Sequence, residues 1–184
     1  SGSNAICISY NYDKNYLVVA HEDGNIDIID KDDDVTTITG LRVADSSLNK
    51  GVNDITFDET GRYIYLATNF GYIVIDASIH EVSTSRVFNR KINSVMPYNG
   101  KIWVATDQGL YCGDPKEFDF ERYQQISSQI GIESLNITNN WLYFLYGARG
   151  NKTCGRVDNS GETYTTKPVS DPGVVFFSRS RSGM

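Results

Sequence analysis

The sequence predicts an all-β fold of about four four-stranded antiparallel β-propeller blades, on three observations: a stretch that recurs, an alanine that anchors each copy, and a glycine turn behind it. The recurrence is direct. Arg62-Tyr63-Ile64-Tyr65-Leu66-Ala67-Thr68-Asn69-Phe70-Gly71-Tyr72-Ile73 lines up with Lys101-Ile102-Trp103-Val104-Ala105-Thr106-Asp107-Gln108-Gly109-Leu110-Tyr111, and Asn15-Tyr16-Leu17-Val18-Val19-Ala20, followed by Gly24 and Ile26, is a third copy. The anchors Ala20, Ala67 and Ala105 lie 47 and then 38 residues apart, close to the ~40–45 residues of a four-stranded blade.

Taken in order, the first blade spans about residues 5–47 and opens on the apolar stretch Ala5-Ile6-Cys7-Ile8. The second, about 52–90, divides into strands Val52–Phe57, Tyr63–Thr68, Gly71–Ile75 and Val82–Val87, rich in branched and aromatic residues and separated by turn-formers. The third, about 92–128, opens on Ile92-Asn93-Ser94-Val95. From the first residue of each opening stretch to its anchor alanine is 15, 15 and 13 positions in these three copies. A small alanine suits a place where neighbouring sheets crowd together, and Gly24, Gly71 and Gly109 suit the positive φ of a hairpin turn. A fourth blade, about 132–170, opens on Ile132-Glu133-Ser134-Leu135 and continues through Trp141-Leu142-Tyr143-Phe144-Leu145-Tyr146. Trp141, which falls 38 residues after Trp103, is read as its repeat equivalent, and the segment 147–152 replaces the Thr-x-x-Gly turn with a longer loop. The best helical candidate, Lys116 to Ile130, has no clean 3.6-residue period.

Blades thus fill residues 5–175. Residues 1–5 read as a recombinant or processed start, Val174-Val175-Phe176-Phe177 as the first strand of a fifth blade, and 176–184 as a non-blade tail. Ring closure protects the terminal blades of a propeller, so an arc of four would leave two apolar blade faces bare. The expectation is a partial ring that self-associates, burying those faces by a symmetric contact.

Composition narrows the function classes. Seventeen basic residues against twenty-three acidic give a net charge of -6, with the basic residues scattered except for Arg179 and Arg181, which argues against a nucleic-acid groove. No stretch approaches the ~20 apolar residues of a membrane span. Cys7, Cys112 and Cys154 are far apart and form no CxxC pair, so they read as embedded structural thiols, with one long-range disulfide as the alternative.

Beyond Ile92-Asn93-Ser94-Val95, the run Gly100-Lys101-Ile102-Trp103-Val104-Ala105-Thr106-Asp107-Gln108-Gly109-Leu110-Tyr111 resembles the regulator-propeller repeat of bacterial two-component sensors. The opening from Ile8 to Asp27 and the stretch Leu66-Ala67-Thr68-Asn69-Phe70-Gly71 are more similar still to the N-terminal β-propeller of PorZ-type proteins of the type IX secretion system, a likeness running to about Asp171. The resemblance implies a non-catalytic propeller of the periplasm or cell surface that docks glycans or proteins. Those proteins are far larger than this chain.

No residue set converges on catalysis, a cofactor or a metal. Asp30-Lys31-Asp32-Asp33-Asp34 begins like a calcium loop, but Val35 stands where that loop needs glycine and Leu41 where it needs glutamate, so it reads as a solvated hairpin tip. The two histidines lack a nucleophile elbow: His21 ends a strand beside Glu22 and Asp23, and His80 sits in a loop. Gly147-Ala148-Arg149-Gly150 has no following helix to make a phosphate cradle. Twelve tyrosines, eight phenylalanines and two tryptophans could stack on sugars or anchor a partner, but repeated positions read as filling between blades. Asn136-Ile137-Thr138 and Asn151-Lys152-Thr153 match glycosylation triplets and carry little weight. The expected function is a non-catalytic binding or scaffold module of a secretion-associated surface or periplasmic protein. Its partner would be a protein or glycan rather than nucleic acid, and no membrane span is expected. The alternatives are a ligand-sensing periplasmic domain of a hybrid two-component regulator and a propeller enzyme acting on polysaccharide.

Overall fold

The computed structural model describes residues 3–39, 41, 49–148, 151–160 and 163–169. The Val174–Phe177 strand, the 176–184 tail and the Arg179/Arg181 pair lie outside the described residues. The chain divides into two compact units, Ser1–Ile92 and Asn93–Met184.

The first unit holds two four-stranded antiparallel meanders, β1 (Ala5–Asn11), β2 (Tyr16–His21), β3 (Ile26–Ile29), β4 (Val35–Ile38), then β5 (Val52–Phe57), β6 (Tyr63–Thr68), β7 (Gly71–Asp76), β8 (Glu81–Val87). The second unit repeats the plan with β9 (Ser94–Tyr98), β10 (Lys101–Thr106), β11 (Gly109–Gly113), β12 (Gln124–Ser127), then β13 (Ser134–Thr138), β14 (Trp141–Tyr146), β15 (Thr153–Ser160), β16 (Thr163–Pro168). The helical candidate at 116–130 is instead a single 3-10 turn, Phe120–Arg122, running into β12. Each sheet is a propeller blade, and the all-β reading of the sequence holds.

Period-2 alternation decides what each strand buries. In the first unit Tyr16, Val18 and Ala20 of β2 meet Ile64, Leu66, Ile73 and Ile75 of the second sheet in one core. In the second unit Trp103 and Ala105 of β10 meet Leu142 and Phe144 of β14. All three anchor alanines are fully buried.

The Thr-x-x-Gly turns have a shared mechanism. The Thr68 hydroxyl accepts from the Phe70 amide at 3.3 Å and donates to the Gly71 carbonyl at 2.9 Å, and Thr106 repeats this with Gln108 and Gly109 at 3.1 and 3.0 Å. Gly71 (φ +153°) and Gly109 (φ +149°) sit where an added Cβ would strike the carbonyl oxygens of Arg86 and Ser127 on the adjoining strands. Glycine is therefore required by close approach as much as by torsion. Gly24 (φ +84°) differs: the first hairpin is one residue longer, pairing Ala20 with Ile26 where Ala67 pairs with Tyr72.

Two asparagines make equivalent long-range bonds, one within each unit. Asn53 Nδ2 donates to the Ile92 carbonyl and Asn93 Nδ2 to the Ile132 carbonyl, both at 2.8 Å and both across 39 residues. The same amides also reach Asn69 Oδ1 at 3.1 Å and Asp107 Oδ1 at 2.8 Å.

One repeat alignment changes. The turns Asn99-Gly100 and Asn139-Asn140 have positive φ at both central residues, as type I′ hairpins demand, and they pair Tyr98 with Lys101 and Thr138 with Trp141. Trp141 therefore matches Lys101, and Tyr143 matches Trp103. Trp103 is fully buried, whereas Trp141 is half-buried with the Arg156 guanidinium 4.1 Å above its ring.

Candidate functional site

Four turns of the first unit define a cleft of about 470 Å³. In the turn between β1 and β2, Asn11 Oδ1 accepts from the amides of Asp13 and Lys14 at 3.1 and 3.0 Å. That local bond fixes the chain reversal and sets Lys14 at the lip. The Tyr16 hydroxyl crosses to the Gly61 carbonyl at 2.8 Å, and Asn11 Nδ2 reaches the same carbonyl at 3.4 Å. Burial pushes the Tyr16 phenol up to about 12, with Asn11 lowering and Asp58 raising it in smaller measure. It stays a donor throughout the physiological range. Gly61 (φ +67°) leaves no room for a side chain, since its Cβ would lie 2.7 Å from both Asn11 Nδ2 and Lys14 Cγ.

The opposite wall comes from the β7–β8 turn. Asp76 receives Arg62 Nε at 3.0 Å and Nη2 at 2.6 Å, together with the Ser78 hydroxyl at 2.6 Å. These bonds, Arg62 first, hold the Asp76 carboxyl well below the usual carboxylate range. His80, with φ +55°, follows in the same turn. The floor is Tyr16, Ile28 and Ala77, and the lip carries Lys14, Lys31, Arg62, His80 and a single carboxylate, Asp30.

The residues singled out in the sequence are not gathered into one place. His80 lines the cleft, whereas His21 lies at the other end of β2, with Nε2 2.8 Å from Asp27 Oδ2 and Nδ1 3.2 Å from the Ser3 carbonyl. Asp30 closes its hairpin tip by accepting from the amides of Asp32 and Asp34 at 2.8 and 3.0 Å. All three cysteines are free thiols. Burial pushes the Cys112 thiol up to about 11 and raises that of Cys154, which suppresses the thiolate and its reactivity. Among the described residues no group of three or more His, Cys, Asp or Glu could hold a metal ion, and no helix is long and apolar enough to cross a membrane.

Both acceptors of His21 are oxygen atoms without a proton to give, so both ring nitrogens act as donors in the imidazolium form. Partial burial lowers its pKa, but the Asp27 bond, the Ser3 carbonyl and the charges of Asp27 and Asp23 outweigh that and raise it. A raised folded-state value adds stability that is complete below the ordinary value of about 6.5 and is lost as pH rises through the folded value. Urea midpoints measured from pH 5.5 to 8.5 should fall on the alkaline side in the parent chain, and this slope should flatten in His21→Gln.

The profile of the "TSS9, PorZ, N-terminal beta-propeller domain" family matches residues 1–125. The chain belongs to the PorZ N-terminal β-propeller family. PorZ of Porphyromonas gingivalis, described as an essential bacterial surface component of the type IX secretion system, superposes with a TM-score of 0.72 at 21% identity, over 91% of this chain and 22% of its own. The chain thus spans about a fifth of that relative. Hydrazine synthase of Kuenenia stuttgartiensis superposes with a TM-score of 0.63 at 13% identity, over 84% of this chain and 46% of its own. The computationally designed Ika4 protein gives 0.58 at 14% identity, over 84% and 91% respectively. At these identities the superpositions speak for the fold alone. No curated protein sequence matches the chain.

Proposed function

We propose that this member of the PorZ N-terminal propeller family is a non-catalytic binding and scaffold module of a type IX secretion apparatus, held in the periplasm or at the cell surface. The observation that carries the reading is the family match over residues 1–125. Its physical basis is a set of short turns, each locked by an Asn or Asp accepting backbone amides, that hold side chains rigidly around a cleft. In a bacterium carrying the gene, removing the codons for these blades should leave type IX cargo trapped inside the cell. Cargo reaching the surface at parental levels would overturn the reading.

Self-association through an open blade face belongs to the same proposal. On β1 the alternating residues Ile6, Ile8 and Tyr10 are 43%, 62% and 38% exposed, and Val35 on the far strand of that sheet is 56% exposed. A second copy covering this face would remove apolar surface of a kind that marks interaction sites. Sedimentation velocity should show a dimer that Ile8→Lys dissociates, and a monomer at all concentrations would end the proposal.

A further inference from the structure

The cleft of the first unit has charged groups of two kinds, those already spent and those free to bind. Asp30 is the only carboxylate lining it, and its Oδ1 already accepts two backbone amides, so the cleft is poorly suited to a cation. Arg62 has given Nε and Nη2 to Asp76, which leaves the Nη1 edge without a partner among the described residues. The Lys14 ammonium likewise has no ion-pair partner among the described residues, and Lys31 holds only Asp32, in a pair about two-thirds exposed on both sides. Beneath these donors lies an apolar floor of Tyr16, Ile28 and Ala77.

Resting on the reading of the chain as a binding module, we propose that this cleft binds a small monocarboxylate with an apolar body. The carboxylate meets Lys14 and the free edge of Arg62 at the lip, and the body lies on the floor. A volume of about 470 Å³ falls within the roughly 300–1,000 Å³ of small-molecule sites. Phosphate fits less well, because it carries more than one negative charge near neutral pH and so meets more repulsion from the carboxylates around the cleft than a monocarboxylate does. Multiply charged acids fit worst. Asp13, Asp32, Asp33, Asp34, Asp58 and Glu59 stand on the same turns, within reach of charges screened only over about 8 Å, and they repel each additional negative charge.

The test is a titration of the ¹⁵N-labelled chain with three probes. N-acetyl-L-phenylalanine carries charge and body, its amide carries the body alone, and N-acetylglycine carries the charge alone. Saturable amide shifts are expected at Lys14, Lys31, Arg62 and Ser78 with the first probe, and binding at least about threefold weaker with either of the others. Lys14→Gln should weaken the acid about threefold, as loss of one exposed charge contact does, without changing the weaker binding of the amide. Lys14 is exposed, so this variant should keep the parental urea midpoint, and Lys31→Gln serves as the second variant if it does not. Equal affinity for acid and amide, shifts centred elsewhere, or indifference to both substitutions would overturn the proposal. None of those outcomes bears on cargo export, whereas normal export after blade removal would sink the secretion reading and leave the cleft intact.

Discussion

Gly71→Ala is expected to destabilise the chain by about 3 kcal/mol, which sums a positive-φ cost of ~1–2 kcal/mol with an overpacking cost of similar size. The new methyl would be driven into the Arg86 carbonyl, a backbone atom of the neighbouring strand that cannot rotate away. Strand β8 would have to separate from β7 at the end where Gly71 pairs with Val87. Gly109→Ala, facing the Ser127 carbonyl, should behave alike. Gly100→Ala separates the two causes, because Gly100 has φ +70° with no atom within 4 Å of its Cβ position. It should cost only about 1 kcal/mol, the torsional part. Urea unfolding of the three variants checks the difference, and equal midpoints for Gly71→Ala and Gly100→Ala would show that strand proximity is not what demands glycine.

Trp103→Ala should be costlier still, about 4 kcal/mol, within the range for emptying a large buried aromatic site. The indole is fully buried, donates Nε1–H to the Tyr98 carbonyl at 3.1 Å, and meets the Tyr164 ring edge-on at 4.9 Å and that of Tyr98 at 6.1 Å. Truncation would leave a cavity between β10 and β14 and a carbonyl without its donor. Trp103→Phe should recover roughly half of the loss, since it refills volume but not the hydrogen bond. Calorimetry can separate these outcomes. A midpoint unmoved by Trp103→Ala would mean that the second unit does not depend on this core.

Much of the fold was legible because it is written in features short in sequence. Val52–Phe57 and Tyr63–Thr68 emerge with the bounds expected from branched residues between breakers, and β7 and β8 extend the expected segments by one residue each. The anchor alanines are buried for the reason their size suggests. The indole pairing of Trp103 with Trp141 misled because side-chain identity was followed across the repeat. The signal that fixes register is the turn, Asn99-Gly100 against Asn139-Asn140, where backbone torsion selects the residues. Asn93 stood inside the recognised motif, yet its bond to Ile132 spans 39 residues and no local pattern announces it. The cleft was harder to foresee. Lys14, Lys31, Arg62 and His80 each sit in a turn that reads alone as a solvated tip, and only the stacking of two sheets brings the four tips to one rim.

The asparagine links also bear on how such a chain can grow. Ile92 receives the bond from Asn53 and the next residue, Asn93, sends one to Ile132, so socket and plug are adjacent codons. A gene segment copied between two such points would carry both halves of the connection and insert a ready-made blade without any matching change elsewhere.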